Sequence, residues 1–111
     1  MPSDSAFDII SLELDYNNIS DISALSGLSN LEFLVLSANN ISDISTLSGL
    51  SNLEFLGLWE NNISDISTLS GLTNLQTLVL YDNPLSQNVI NVHIPQLEVR
   101  GVDVIKHYGE K

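Results

Sequence analysis

An internal repeat of 22 residues constrains this sequence more than any other feature. The repeat forms columns of identical residues, among them Asn17, Asn39, Asn61 and Asn83, and Leu14, Leu36, Leu58 and Leu80. The two segments that begin at Ser29 and Ser51 are nearly identical. A period of this length predicts a solenoid, in which similar units stack and each covers the apolar side of its neighbour.

Each unit reads L-x-x-L-x-L-x-x-N-x-I, followed by a return segment S-D-I-S-x-L-S-G-L. The L-x-L stretch predicts a short strand with inward leucines. The asparagine follows where the chain leaves the strand, and its amide can pair with backbone groups that would otherwise be buried without partners. The return segment is too short for a long helix, and its Asp and Gly are typical of the start and end of a tight turn. We therefore predict an α/β-type repeat solenoid, with a parallel β-sheet on the concave face and 3₁₀ or irregular turns on the convex face.

The repeat pattern ends after Asn83, where the next residue is a proline. We predict a helix from Ser86 to about His93, a break marked by Pro95 and Gly101, and a closing strand over residues 102–105. Terminal units of a solenoid differ from the others because they must present a polar outer side. The predicted organisation is an N-terminal stub at 1–8, the repeats at 9–85 and a small helix–strand cap at 86–111.

The charge is strongly unbalanced, with 14 acidic and 3 basic residues and a net charge of −11. All three basic residues, Arg100, Lys106 and Lys111, lie in the predicted cap. Such a surface repels phosphate, so binding to nucleic acid or to anionic membranes is not expected. The sequence has no cysteine, no apolar run long enough to span a bilayer and no signal-peptide pattern, and it predicts no particular compartment.

The unit N-x-I-S-D-I-S-x-L-S-G-L-x-N-L-x-x-L resembles the leucine-rich repeats of bacterial internalin-like proteins, which have the same 22-residue period. The closing stretch NPLS…IPQLEVRGVDV is similar to the end of many bacterial arrays of this type. The resemblance implies a non-catalytic module that binds a protein or, less often, a glycan, and it does not identify the partner. The helical N-terminal cap, immunoglobulin-like region and surface anchor of internalins have no counterpart in this sequence. A secreted or cell-surface location is therefore implied only for an internalin-like parent protein.

An array of strands directs its outward side chains to one concave face, and we expect the function there. The outward positions, strand by strand, are Ser11, Glu13 and Asp15; Phe33, Val35 and Ser37; Phe55, Gly57 and Trp59; and Thr77, Val79 and Tyr81. The residue after each set lies at the rim of the face; these rim residues are Tyr16, Ala38, Glu60 and Asp82. Five of these sixteen are aromatic, although aromatic residues make up only 6% of the chain. Gly57 is predicted to leave a notch between its neighbours, which a partner's backbone can approach.

The predicted partner-binding residues are Phe33, Val35, Phe55, Gly57, Trp59, Val79, Tyr81, Asp15 and Tyr16. Contiguous apolar surface with an acidic rim is typical of a protein-binding interface. An alternative interpretation is that the outward aromatic side chains only favour strand formation and pack across the sheet.

Other patterns are less specific. The column Asp21, Asp43 and Asp65 resembles a ladder of cation ligands, but calcium needs many oxygens on a loop that wraps the ion, and Asp at this position also suits a turn cap. His93 and His107 lie in the cap without a cluster of carboxylates. Because no catalytic motif, metal-ligand spacing or phosphate-binding loop is present, we predict no enzyme activity, no cofactor and no metal.

Three functional hypotheses remain. The first is a protein-binding module that uses its concave face. The second is an excised or engineered scaffold without a function of its own, which the abrupt start and the near-identical units favour. The third is a glycan-binding surface, with sugar rings stacked on Trp59 and Tyr81. In addition, residues 1–8 offer little to cover the first unit, so we expect fraying or self-association through that end and further sequence ahead of Met1.

Overall fold

The computed structural model describes residues 9–107 and shows one solenoid whose five strands form a parallel sheet in sequential order. The strands are β1 (Ser11–Glu13), β2 (Phe33–Val35), β3 (Phe55–Gly57), β4 (Thr77–Val79) and β5 (Asp103–Ile105). Residues one repeat apart pair across the sheet, so Leu34 lies between Leu12 and Leu56. The predicted fold class and strand register are therefore confirmed.

On the convex side, each of the first three units returns through a 3₁₀ helix. These helices are Ser23–Gly27, Ser45–Gly49 and Ser67–Gly71, and each ends at the glycine that the sequence pattern marked. An aspartate precedes each helix and accepts a hydrogen bond from its first residue, as Asp43 Oδ1 does from the Ser45 N–H at 2.9 Å. This bond, with a second from the Ser45 hydroxyl, holds the pKa of Asp43 below its ordinary value of 3.8. Asp21 and Asp65 have the same contacts and the same direction of pKa shift, so the capping interpretation of this column is confirmed.

The asparagine column joins successive units through partly buried hydrogen bonds. The Asn39 amide donates to the carbonyls of Leu36 at 2.9 Å and Ser37 at 3.1 Å in its own unit, and to Leu14 at 3.1 Å in the unit before. Its Oδ1 accepts from the backbone N–H of Ile19 at 2.8 Å. Asn61 and Asn83 repeat this arrangement one and two units later. Asn39, Asn61 and Asn83 therefore each pair backbone groups of two units at once, whereas the Asn17 amide donates to Leu14 and Asp15 of its own unit.

The core lies between the sheet and the convex turns, and its side chains are most completely buried in the second and third units. Leu34, Leu36 and Ile41, with their counterparts one repeat later, are fully buried. In the first unit the corresponding side chains are only partly buried; these are Ile9, Leu12, Leu14, Ile19 and Leu28. The apolar layer is thus less well covered at the first unit than at any later one.

The helix in the cap does not end at His93, so this part of the prediction is wrong. A wide π-helical turn, Val89–His93, leads directly into the α-helix α1 (Ile94–Val99). The Ile94 N–H donates to the carbonyl of Val89, five residues earlier, and Pro95 then lies in the first turn of α1. Proline inside an α-helix lacks one hydrogen bond and its ring meets the preceding turn, and the wide π-helical turn lies directly before this proline.

The cap is attached to the repeats by its own strand and by Arg100, and an ion pair joins two of its own residues. Val104 of β5 pairs with Leu78 of β4. The Arg100 guanidinium donates to the carbonyls of Ser70 at 2.8 Å and Leu72 at 3.0 Å, which lie at the end of the third 3₁₀ helix. Lys106 forms an ion pair of 2.9 Å with Glu98. The predicted polar outer side is not uniform, because Val99 is 87% exposed and Ile90 and Val92 are also exposed.

Candidate functional site

Four aromatic rings form a band across β2, β3 and β4 on the concave side. Phe33 and Phe55 stack with their ring centroids 4.7 Å apart and their planes 14° from parallel. Trp59 and Tyr81 stack at 5.8 Å and 20°. The parallel register causes both contacts, because it places residues one repeat apart side by side at the strand spacing of about 4.8 Å. All four side chains are half-buried and retain part of their surface for contact with another molecule.

The aliphatic positions of this face are more covered than the alternation predicted. Val35 is 7% exposed and Val79 is 6% exposed. Ser37 is fully buried, and its hydroxyl oxygen has no hydrogen-bond partner within the described part of the chain. Of the predicted binding residues, Tyr16 is the most open, at 75% exposed, whereas Asp15 is half-buried. The accessible part of the face therefore consists of ring surfaces and rim residues rather than of valine side chains.

The notch predicted at Gly57 is filled by Trp59, so the space is not open to a partner. A Cβ atom built on Gly57 would lie 2.6 Å from Cζ3 of Trp59 and 3.5 Å from a ring carbon of Phe55. Contacts shorter than 3.0 Å do not occur for a real Cβ atom, so the indole position depends on the missing side chain. Sequence reasoning correctly indicated a close approach at this glycine but assigned it to the wrong group.

The rim residues share an unusual backbone conformation that the sequence did not indicate. Tyr16, Ala38, Glu60 and Asp82 all have positive φ angles, between 57° and 63°. The N–H groups of the first three continue the ladder to the next unit, as in Ala38 N to Trp59 O at 3.0 Å. None of these residues is glycine, and alanine and glutamate have no preference for this region. The left-handed turn is therefore imposed by the repeat and not by the residue.

The second and third units differ at only three positions over their whole length, from Ser29 to Leu50 and from Ser51 to Leu72. The three changes are Val35 to Gly57, Ser37 to Trp59 and Ala38 to Glu60. All three positions lie on the concave face or its rim, and none is on the convex side or in the leucine core. Variation between these two units is thus confined to one surface.

The concave face is acidic at its edges. Glu13 lies in β1, and Asp15 follows it. Glu60 and Asp82 occupy the rim. Asp103 of β5 pairs with Thr77 of β4. None of the sixteen outward and rim positions carries lysine or arginine. Within residues 9–107, no three side chains of His, Asp or Glu come together in a way that could hold a metal ion. The geometry is suited to surface contact.

No helix in the described part of the chain has the length and the apolar character that crossing a bilayer requires.

Comparison with known proteins identifies the class to which this solenoid belongs. The family described as Leucine Rich repeats (2 copies) matches the sequence twice, over residues 9–49 and 51–91, and the chain belongs to this family. Within it the chain is internalin-like. It is 40% identical to internalin C2 of Listeria monocytogenes, with a TM-score of 0.70 over 77% of this chain. It is 31% identical to internalin F of the same organism, with a TM-score of 0.82 over 96% of this chain.

A leucine-rich repeat protein of Leptospira interrogans is 29% identical over 87% of this chain, with a TM-score of 0.76. The chain spans 38% of the internalin C2 structure, 31% of the internalin F structure and 25% of the Leptospira structure. No curated protein matches the sequence. These comparisons confirm the predicted resemblance to bacterial internalin-like leucine-rich repeats.

Proposed function

We propose that this protein is a non-catalytic module that binds a protein partner through its concave face. The observation that carries the proposal is the restriction of all differences between the second and third units to that face. The core leucines, the asparagines and the convex turns are the same in both units, so the scaffold is constant while one surface changes. This is the arrangement expected where a rigid scaffold presents a binding surface.

The composition of the face supports the same function. Aromatic side chains, and tryptophan and tyrosine above all, contribute most to the energy of protein interfaces. The stacked pairs Phe33–Phe55 and Trp59–Tyr81 are held by the sheet register, so little side-chain entropy is lost when they contact a partner.

The interpretation that these rings only stabilise strands does not account for Gly57. Glycine weakens a strand interior, because it has no side chain to pack and loses the most backbone entropy. The change from Val35 to Gly57 is therefore unfavourable for the sheet itself. The change is explained if binding by the third unit requires the Trp59 ring to lie in the space that a side chain at position 57 would occupy.

The resemblance to two internalins, whose structures are each more than twice the length of this chain's match, supports a module of a larger bacterial protein. We include a secreted or cell-surface location of that parent protein in the proposal.

Affinity capture with matched variants tests the function. The full chain and the variants Phe55→Ala, Trp59→Ala and Val99→Ala are immobilised, and the captured proteins are quantified by mass spectrometry. Val99 is a suitable control because it is exposed and apolar but lies on the cap. We expect partners that Val99→Ala retains and that both concave variants lose, with affinity reduced about thirtyfold or more for a central aromatic residue. If both concave variants keep every wild-type partner, the proposal is wrong.

A further inference from the structure

The residues that distinguish the third unit act together. Gly57 lacks the Cβ atom that would displace the Trp59 ring, so the ring can lie along β3 instead of projecting from the rim. On its other side the ring stacks on Tyr81 of the next unit. The third changed residue, Glu60, follows Trp59 directly and is exposed at the rim. The three changes therefore fall in one place, where an aromatic ring is held over Gly57 and the next residue along the chain is an exposed glutamate.

A second acidic residue occupies the next rim position. Asp82 occupies the rim position after Glu60, one repeat later, and the two units are joined there by the bond from Glu60 N to Tyr81 O at 3.0 Å. Both residues are exposed and have the same left-handed backbone conformation, with φ angles of 59° and 63°. Adjacent units are separated by about 4.8 Å, so two acidic residues occupy neighbouring backbone positions along the rim.

Like charges in adjacent positions repel each other, and the sheet gains nothing from them. No lysine or arginine occupies the outward and rim positions, and Lys106 is paired with Glu98 on the cap. None of the sixteen outward and rim positions therefore supplies a lysine or arginine that would complement these acidic residues.

We propose that the concave face binds a basic protein surface, and that a lysine or arginine side chain of the partner lies against a face of Trp59 or Tyr81 that their mutual stacking leaves uncovered, with Glu60 and Asp82 on the adjoining rim. An aromatic ring attracts a cation to its face, tryptophan most strongly, and an adjacent carboxylate adds charge attraction to the same group. Arginine suits this site best, because its planar guanidinium can stack on a ring and pair with a carboxylate at the same time. This inference rests on the proposed function and specifies the chemistry of the partner.

The first test measures the local charge at the ring without any partner. Trp59 is the only tryptophan, so fluorescence quenching by caesium, iodide and acrylamide reports its surroundings alone. We expect caesium to quench Trp59 fluorescence more strongly than iodide does. The Glu60→Gln/Asp82→Asn variant should lower the ratio of the caesium quenching constant to the iodide quenching constant. The control variant Asp43→Asn/Asp65→Asn removes the same amount of charge from the convex side and keeps the capping oxygens. If both double variants lower this ratio equally, the electrostatic potential at the ring comes from the net charge of the whole protein and not from the two rim residues. That result would contradict the inference.

The second test uses a displayed library of random short peptides as the probe, selected on the full chain. We expect the peptides whose binding requires Trp59 to be enriched in arginine and lysine. They should bind about two- to thirtyfold more weakly to Glu60→Gln/Asp82→Asn, because this variant keeps the rings and removes two exposed carboxylates, each contributing about 0.2–1 kcal/mol to an ion pair. Binding to the convex double variant should be unchanged.

The outcomes separate the two proposals. Peptides that require Trp59 but show no enrichment in basic residues would overturn this inference and leave the proposed function in place. Selected peptides that bind equally well to Trp59→Ala and Phe55→Ala would overturn both.

Discussion

The Oδ1 atom of Asn39 accepts a hydrogen bond of 2.8 Å from the backbone N–H of Ile19, which belongs to the preceding unit. The same amide donates to three carbonyls, two in its own unit and one in the unit before. One buried side chain therefore joins two repeats. It pairs backbone groups in the segment between the strand and the 3₁₀ helix of each repeat.

We predict that Asn39→Ala lowers the free energy of unfolding by about 3 kcal/mol, because each buried backbone group left unpaired costs about 1–3 kcal/mol. The matched control is Asn40→Ala, which removes only an exposed contact of 3.3 Å to Asn18. It should change stability by less than about 0.5 kcal/mol. Urea unfolding followed by circular dichroism measures both values, and equal effects of the two substitutions would show that the column does not hold the units together.

The asparagine contacts could be predicted from sequence because they repeat. A fixed period places equivalent residues side by side, so the strand register, the asparagine column and the capping aspartates all follow from one unit. The position of the Trp59 ring could not be predicted in this way, because it depends on Gly57 and Tyr81 together and occurs in one unit only.

Two other features also escaped sequence reasoning. The left-handed rim conformation of Ala38 and Glu60 is imposed by the stacking of units, and neither residue type signals it. The helix continues past His93 because the π-helical turn lets Pro95 fall in a first turn, and no local pattern indicates such a turn. These are effects of tertiary context on residues whose intrinsic preferences point elsewhere.

We predict that Gly57→Ala moves the Trp59 ring and leaves the fold intact. The added methyl group would lie 2.6 Å from the ring, and the indole is a side chain that can rotate away. Stability should change by less than about 1 kcal/mol, because alanine also removes the entropic cost of glycine in a strand. Acrylamide quenching of Trp59 should increase, and binding of peptides that require Trp59 should weaken about tenfold.

Gly49→Ala is the control for this substitution, since a Cβ atom at Gly49 has no atom within 4 Å. Unchanged fluorescence in Gly57→Ala would mean that the glycine does not position the ring.

The capping aspartates predict a loss of stability in acid. The pKa values of Asp21, Asp43 and Asp65 are lowered from 3.8 in the folded protein, chiefly by the N–H groups of Ser23, Ser45 and Ser67. Below about pH 4 the unfolded chain therefore binds more protons than the folded one, and this contribution is lost as the pH falls through the lowered values. Above that range the contribution is fully present.

The variant with asparagine at all three positions keeps an acceptor oxygen but cannot take up a proton. Urea midpoints measured from about pH 7 to about pH 3 should fall less steeply for the variant than for the wild type. Parallel curves for the two proteins would contradict the capping account. The comparison also cancels the repulsion among the remaining acids, which both proteins share.

The first unit is expected to be the least stable part of the repeat array. Leu12 and Leu14 are partly buried, whereas Leu56 and Leu58 at the same positions of the third unit are fully buried, and Ile10 is 51% exposed. We predict weaker hydrogen-exchange protection over residues 9–28 than over residues 53–72, because local opening is easiest where fewest apolar contacts are lost.

We also propose that this end mediates self-association, with a sedimentation coefficient that rises with concentration. A strict monomer with equal protection in both units would show that the first unit is adequately covered.

Amide chemical-shift mapping of the complex with a captured partner tests most directly whether the concave face is the binding surface. The full chain is labelled with ¹⁵N, and its spectrum is recorded with and without the partner that wild type and Val99→Ala both retain. The account predicts that the largest shifts fall at Val35, Gly57 and Trp59, together with the Trp59 indole N–H, while the 3₁₀ helices keep their positions. Shifts concentrated in the convex helix Ser45–Gly49, or around Val99 on the cap, would contradict it.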